Sequence, residues 1–163
     1  MTRGAAFGRS TSISRRVGVP PERVFAVLAD AWLIPVWLVG AAHIRDVDAN
    51  WPAAGSKLHH NVGAWPLSVS DSTEVVEVDP PHRLVLQARA WPIGEARVEL
   101  AFGPDGEGTE IIMTEGASRG PVRVFDNPLQ RWVLRHRNRE SLDRLATLAE
   151  KRPMPGWTTQ SGG

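Results

Sequence analysis

The chain has 163 residues, and its 19 Lys and Arg against 18 Asp and Glu give a formal net charge of +1 at pH 7. This length suffices for one domain with a hydrophobic core, and the charge lacks the basic excess expected of a nucleic-acid binder. Cysteine is absent, which excludes disulfides, thiolate metal ligands and cysteine nucleophiles.

The sequence also lacks membrane and export signals. No run approaches the roughly 20 apolar residues that span a bilayer, and residues 1–10 lack the apolar segment of a secretory signal. We therefore expect a cytoplasmic protein with no integral membrane segment. We predict a flexible N-terminus over residues 1–9, a single domain over residues 10–152 and a flexible tail over residues 153–163.

The first 40 residues predict a strand followed by two short helices. Residues 10–19 alternate loosely between polar and apolar, as a strand does. Prolines suit a first helical turn, so a short helix should begin at Pro21. Asp30 can cap a second short helix, which Pro35 limits to a turn or two and Gly40 ends.

The middle of the chain predicts antiparallel strands joined by tight turns. The expected strands cover residues 43–47, 56–62, 68–78, 83–91, 95–102 and 108–115. Their connections are too short for the crossover of a dozen or more residues that a parallel pair needs. They therefore predict an antiparallel sheet, with the helices segregated from the strands in an α+β architecture.

The last strand carries a carboxylate at a position where its neighbours are largely apolar. With a period of two, Glu115 shares a face with Ile111 and Met113. Glu115 should therefore point into the core or into a cavity. As a structural alternative, the strand ends at Met113, or Glu115 forms an ion pair with Arg119 or Arg137.

A long helix should follow over residues 127–152. Asn127 suits the N-cap, Pro128 the first helical position, and Gln130 completes a capping-box pattern. Two polar residues, Asn138 and Ser141, share the apolar face of this helix. The other members of that face are Leu134, Leu142, Leu145, Leu148 and Ala149.

Three local motifs accompany this order of elements. They are residues 19–25 (VPPERVF) with Trp37 downstream, residues 77–81 (EVDPP) before a strand, and Gly108-Thr109 at the start of the last strand. Together they resemble the SRPBCC superfamily, also called the START-like or Bet v 1-like fold, and within it the polyketide cyclase/dehydrase-like proteins. The resemblance covers residues 12–152.

The resemblance implies a helix-grip fold, in which a curved antiparallel sheet of about six to seven strands wraps around the long C-terminal helix. It also implies a hydrophobic cavity between the sheet and that helix. Members of the superfamily bind lipids, hormones, aromatic polyketides or quinones, and some are enzymes. A shared fold does not by itself determine the function.

Glu115 and His60 are the candidates for acid–base chemistry. A buried carboxylate suits a general acid or base, and His60 lies between Leu58 and Val62, where it can face the cavity. Alternatively, His60 has a purely structural role as a hydrogen-bonded histidine of the core. His59 and His60 cannot both point inward, so with only His43 as a third partner a metal site is not expected.

The chemistry and position of further residues predict that they contact a ligand. Tryptophans offer flat surfaces for aromatic or sterol-like ligands, although Trp91 falls on the outer face. Asn138 and Ser141 offer an amide and a hydroxyl, or else satisfy nearby backbone. The predicted ligand contacts are Trp37, His43, His60, Trp65, Met113, Glu115, Asn138 and Ser141.

Two segments have both a functional and a structural interpretation. Residues 116–126 form either a lid over the cavity or a simple connector. The basic residues of the long helix can attract an anionic group or a membrane surface, but a solvated helix face is the favoured interpretation. These basic residues are Arg131, Arg135, His136, Arg137 and Arg139.

The sequence supports three functions. The first is binding of a small hydrophobic molecule between sheet and helix. The second is a cofactor-free cyclase, dehydratase or isomerase in which Glu115 or His60 moves protons. The third is a co-chaperone-like interaction module, which should show an exposed apolar patch and no enclosed cavity. No nucleotide fingerprint is present and no cofactor is expected.

Overall fold

The computed structural model describes residues 10–40, 43–62, 69–90, 94–120 and 127–153. The predicted flexible segments, 1–9 and all but the first residue of 153–163, lie outside these ranges. The helical elements are α1 (Pro21–Ala29), a 3₁₀ turn (Ala31–Leu33), α2 (Ile34–Trp37) and α3 (Pro128–Lys151). The strands are β1 (Ser10–Val17), β2 (Ile44–Val47), β3 (Lys57–Val62), β4 (Val69–Asp79), β5 (Arg83–Ala90), β6 (Gly94–Asp105) and β7 (Gly108–Arg119).

The strands form one seven-stranded sheet in the order β1-β7-β6-β5-β4-β3-β2. Every neighbouring pair is antiparallel, as the short connections predict. Register shifts occur in the β2–β3, β4–β5 and β6–β7 pairs, for example between Val75 and Glu77 of β4. Such irregularities bend a strand and increase its twist, which allows the sheet to curve around a helix.

The two predicted short helices are present. The backbone N–H of Trp32 donates to Asp30 Oδ1 at 3.2 Å, so Asp30 caps the second helical segment as expected. That segment begins as the 3₁₀ turn and continues as α2, with Pro35 in its first turn. Trp37, the last residue of α2, is buried in the core.

Helix α3 packs one face against the rest of the fold, and this face is apolar except for Asn138 and Ser141. Asn127 caps it, because its Oδ1 accepts from the N–H of Gln130 at 2.7 Å. The helix contacts β1, β7, α1 and α2. Its buried residues are Asn138, Ser141, Leu142, Leu145, Ala146 and Ala149, whereas Leu134 and Leu148 are half-buried. The sheet, the long helix and the two short helices together confirm the helix-grip fold.

Strand β7 is longer than the sequence predicts. Gly116 pairs with Ser10 of β1 and with Arg97 of β6, so the ladder continues to Arg119. The partner strands on both sides outweigh the tendency of a glycine to interrupt a strand. The first four residues of the predicted lid or connector therefore belong to the sheet, and residues 121–126 lie outside the described ranges.

None of the helices in the described ranges is long and apolar enough to cross a membrane.

Candidate functional site

A cavity of about 220 Å³ lies between the inner face of the sheet and the helices, toward the end of the sheet where α3 begins. Strands β2 to β7 supply one wall, and α2 with residues 38–40 and Arg137 supplies the other. Its lining is mostly apolar. The lining residues are Ile34, Trp37, Leu38, Val39, Gly40, Ile44, Leu58, His60, Thr73, Leu86, Ala88, Arg89, Ala96, Val98, Met113, Glu115 and Arg137.

Glu115 is held by two donors from consecutive positions of α3. Its Oε2 forms an ion pair with Arg137 Nη2 and accepts from Asn138 Nδ2 at 2.8 Å. Arg137 also donates to Asn138 Oδ1, from Nε at 3.2 Å and from Nη2 at 3.1 Å. The three side chains therefore form a closed network that joins β7 to α3.

This network changes the interpretation of Glu115. The glutamate side chain is only 10% exposed, and Asn138 is completely buried. A buried carboxylate needs such partners, because an unpaired charge in the interior is costly. The structure thus shows the ion pair with Arg137, one of the structural alternatives for Glu115. Oε2 is occupied by two donors, which leaves it less available for proton transfer from a ligand.

His60 lines the cavity from β3, in the same sheet wall as Glu115. Its Nε2 lies 2.9 Å from Thr73 Oγ1 on the neighbouring strand β4. Burial lowers the pKa of His60, and this effect outweighs the raising influence of Asp71. At neutral pH the imidazole is therefore uncharged, so one ring nitrogen donates a hydrogen bond and the other accepts one.

His60 should make stability depend on pH. Because its pKa is lower in the folded than in the unfolded protein, the unfolded chain binds more protons, and acid favours unfolding. The free energy of unfolding should thus fall as the pH drops below about 6.5, the unperturbed histidine value. Urea unfolding at pH 7.5 and pH 5.5 measures this effect. The loss should be smaller in His60→Gln and should persist in His59→Gln; an equal loss in His60→Gln and the wild type contradicts the assignment.

Of the other residues predicted to contact a ligand, some line the cavity and some do not. Trp37 and Met113 are buried and line the cavity, while Asn138 lies behind it in the Glu115 network. Ser141 is buried but is not among the lining residues. Its Oγ accepts from the N–H of Val39 at 3.0 Å and donates to the carbonyl of Arg137 at 2.9 Å.

His43 is exposed and is not among the lining residues, and Trp65 and Trp91 lie outside the described ranges. Strand β2 begins at Ile44, so His43 lies just before the strand. Within the described ranges, no three His, Asp or Glu side chains are grouped to hold a metal ion.

Sequence reasoning missed two polar residues of the cavity wall, Thr73 and Arg89. The hydrogen bond between Thr73 and His60 depends on the β3–β4 register, which places Thr73 opposite Leu58. Arg137 was expected either on a solvated basic face of the helix or as the ion-pair partner of Glu115, and the structure shows the ion pair.

Comparison with known proteins agrees with this geometry. No curated protein sequence matches the chain. Solved structures with the same fold include proteins from Rhodobacter sphaeroides (21% identity, TM-score 0.67, 91% of this chain and 95% of that one) and Chromobacterium violaceum (20%, 0.65, 89% and 100%). DynU16, described as a protein in the dynemicin biosynthetic locus, matches at 16% identity and TM-score 0.63 over 87% of this chain and 47% of its own.

The sequence match is more specific than the structural ones, since identities this low show the fold alone. The profile of the "polyketide cyclase / dehydrase and lipid transport" family matches residues 9–150, which is most of the chain. These residues include β1, the whole cavity and nearly all of α3. The chain therefore belongs to the polyketide cyclase/dehydrase and lipid transport family.

Proposed function

We propose that the protein binds a small hydrophobic molecule, lipid-, polyketide- or other aromatic-like, in the cavity between the sheet and α3. The family and the fold support a ligand-binding or cyclase role. The cavity itself is the observation that carries the proposal, because its wall is mostly apolar and interrupted by a few polar groups, such as His60 and Glu115. This combination is typical of small-molecule sites.

The size of the cavity limits the ligand. A volume of about 220 Å³ is below the range of about 300–1,000 Å³ that is usual for drug-sized ligands. The site therefore suits a compact molecule, such as a fused two-ring compound, or one end of a longer chain. 2-Tetralone, an uncharged bicyclic ketone, is a suitable probe for both possibilities.

Filling the cavity should abolish binding without removing the fold. Ala96 lines the cavity from β6, so Ala96→Phe places a ring in the ligand's space. We expect this variant to bind 2-tetralone at least about tenfold more weakly, since a ligand forced from its apolar contacts loses more than 1.4 kcal/mol. Titration followed by tryptophan fluorescence measures the affinity, because Trp37 lies in the wall.

The same strand provides the matched control. Ala101 is an odd number of residues away from Ala96 and is not among the lining residues, so Ala101→Phe adds the same ring to the opposite face of β6. Its affinity should equal that of the wild type. If both variants weaken binding equally, or if the wild type fails to bind the probe, the cavity is not the site for this class of ligand.

The position of His60 favours a second candidate function, a cofactor-free cyclase, dehydratase or isomerase. An uncharged imidazole in the wall of an apolar cavity can take a proton from a ligand carbon next to a carbonyl and return it elsewhere. Glu115 is the other candidate for this step, although its carboxylate already holds Arg137 and Asn138.

Deuterium exchange distinguishes this second function from binding alone. If His60 moves protons, the wild type should accelerate exchange at the acidic carbon next to the carbonyl of 2-tetralone, and His60→Gln should lose the acceleration while it still binds. NMR of the ketone in D₂O measures the exchange rate. Binding without any acceleration by the wild type supports a carrier rather than an enzyme.

An interaction module is less well supported. That function was expected to lack an enclosed cavity, whereas this protein has a mostly apolar cavity between the sheet and the helices. The outer face of α3 does expose Leu129, Trp132 and Val133, which is the feature an interaction module needs. The cavity is the more specific feature, since its polar groups converge on one apolar space.

A further inference from the structure

We propose, on the basis of the proposed ligand-binding function, that the ligand is uncharged and carries a hydrogen-bond acceptor, such as a ketone oxygen, that receives the indole N–H of Trp37. Trp37 lines the cavity and is only 1% exposed. Its Nε1 is buried and has no hydrogen-bond partner among the described residues.

An unpaired donor of this kind requires an explanation. Most buried polar side-chain atoms in folded proteins have a partner, because leaving a donor unpaired costs free energy. The indole N–H is a donor only, so only an acceptor satisfies it. Trp37 is among the residues that line the cavity, and we infer that a molecule bound there supplies the acceptor.

The other polar side chains of the wall indicate that the ligand is neutral. Each of them already has a partner within the protein: His60 with Thr73, Glu115 with Arg137, and Arg89 with Glu95. The charges are therefore matched inside the protein. A charged ligand would find each of these charges already paired, whereas a neutral acceptor complements the buried, unpaired indole N–H of Trp37.

The position of Trp37 is fixed before any ligand binds. The N–H of Leu38 donates to the carbonyl of Ile34 at 2.8 Å, which closes the last turn of α2. The N–H of Val39 donates to Ser141 Oγ at 3.0 Å, which ties the segment after α2 to α3. A donor held in place loses little freedom on binding, so its hydrogen bond contributes more to affinity and selectivity.

A matched pair of probes tests the acceptor. 2-Tetralone and tetralin share a bicyclic skeleton, but only the ketone has an acceptor. The ratio of their affinities should be about 3- to 10-fold more in favour of the ketone in the wild type than in Trp37→Phe, which is the usual value of one neutral hydrogen bond. The higher water solubility of the ketone affects its binding to both proteins equally, and the change in cavity volume affects both probes equally. Both effects therefore cancel when the two affinity ratios are compared.

A spectrum of the wild-type protein gives a second readout that does not depend on the variant folding well. With ¹⁵N-labelled indoles, the chain has seven tryptophan side-chain N–H groups, and the signal missing in Trp37→Phe belongs to Trp37. If that variant does not fold, substituting the other six in turn assigns the signal. The ketone should shift the Trp37 signal downfield, as hydrogen bonding does, and tetralin should not.

The outcomes separate the two proposals. If the two probes bind with the same preference in wild type and Trp37→Phe, or shift the indole signal alike, Trp37 does not select an acceptor, and the inference is wrong while ligand binding stands. If neither probe binds the wild type, the proposed function fails for this class of ligand and the inference fails with it.

Discussion

Glu115→Ala should lower the free energy of unfolding by about 3 kcal/mol, the lower end of the loss seen when one partner of a buried ion pair is removed. The substitution leaves Asn138 Nδ2 and the Arg137 guanidinium without their shared acceptor. Asn138 is completely buried, but the Arg137 side chain is 32% exposed and can turn toward water. This exposure is the reason for choosing the lower end of the range.

Glu115→Gln separates charge from hydrogen bonding. The amide can still accept from Asn138 but leaves the guanidinium without a counter-ion, so the expected loss is smaller, about 1–2 kcal/mol. Urea unfolding followed by circular dichroism at pH 7.5 measures both variants. A double substitution with Arg137→Gln then gives the coupling energy between the two charged residues.

An exposed ion pair of the same helix is the control. Glu140 lies 3.0 Å from Arg144 one turn later, and both side chains are about half exposed. Such pairs contribute only about 0.3–0.5 kcal/mol, so Glu140→Ala should change stability little. If Glu115→Ala lowers the free energy of unfolding no more than Glu140→Ala does, the contacts of Glu115 with Arg137 and Asn138 do not stabilise the packing of α3 on the sheet.

The fold was predictable because its sequence signals are local and repeat along the chain. Asn127 followed by Pro128 and Gln130 marks the start of α3 by capping alone, and the structure has that cap. Short connections leave antiparallel pairing as the only choice for the strands. The predicted end of β7 at residue 115 was wrong. Gly116 pairs with Ser10 and Arg97 on the neighbouring strands, and local sequence propensity does not predict such tertiary contacts.

The candidate site was only partly predictable for a related reason. Alternation along a strand gives the face of Glu115 and Met113, and the structure places both on the inner side. It does not decide whether Arg119 or Arg137 is the ion-pair partner of Glu115. That Glu115 meets Arg137 and Asn138 depends on how far α3 is shifted and rotated over the sheet, and that Ser141 serves the backbone of Val39 depends on the path of the chain after α2.

Gly108→Ala should destabilise the protein by about 3 kcal/mol, at the upper end of the cost of overpacking. A Cβ at this position would lie 2.2 Å from the carbonyl oxygen of Val17 and 3.2 Å from its carbonyl carbon. Neither atom belongs to a flexible side chain. The backbone at the end of β1 must therefore move away from β7, although Val17 pairs there with Thr109. Thermal and urea unfolding measure the loss.

Gly103→Ala on the adjacent strand β6 is the matched control, because a Cβ there meets no atom within 4 Å. Alanine is less flexible than glycine in the unfolded chain, so this variant should be as stable as the wild type or slightly more stable. Comparable losses in both variants would show that glycine is needed for its flexibility and not for the close approach of β1.

The close approach at Gly108 explains why glycine and threonine occur together at the start of the last strand. Glycine lets the backbone of Val17 come near, and Thr109 Oγ1 then donates to the carbonyl of Val19 at 2.7 Å in the buried interior. These two contacts fix the segment that leads into α1, and α1 packs against α3. A loss of stability at Gly108 should therefore extend to both helices, while the cavity toward the other end of the sheet should keep its lining.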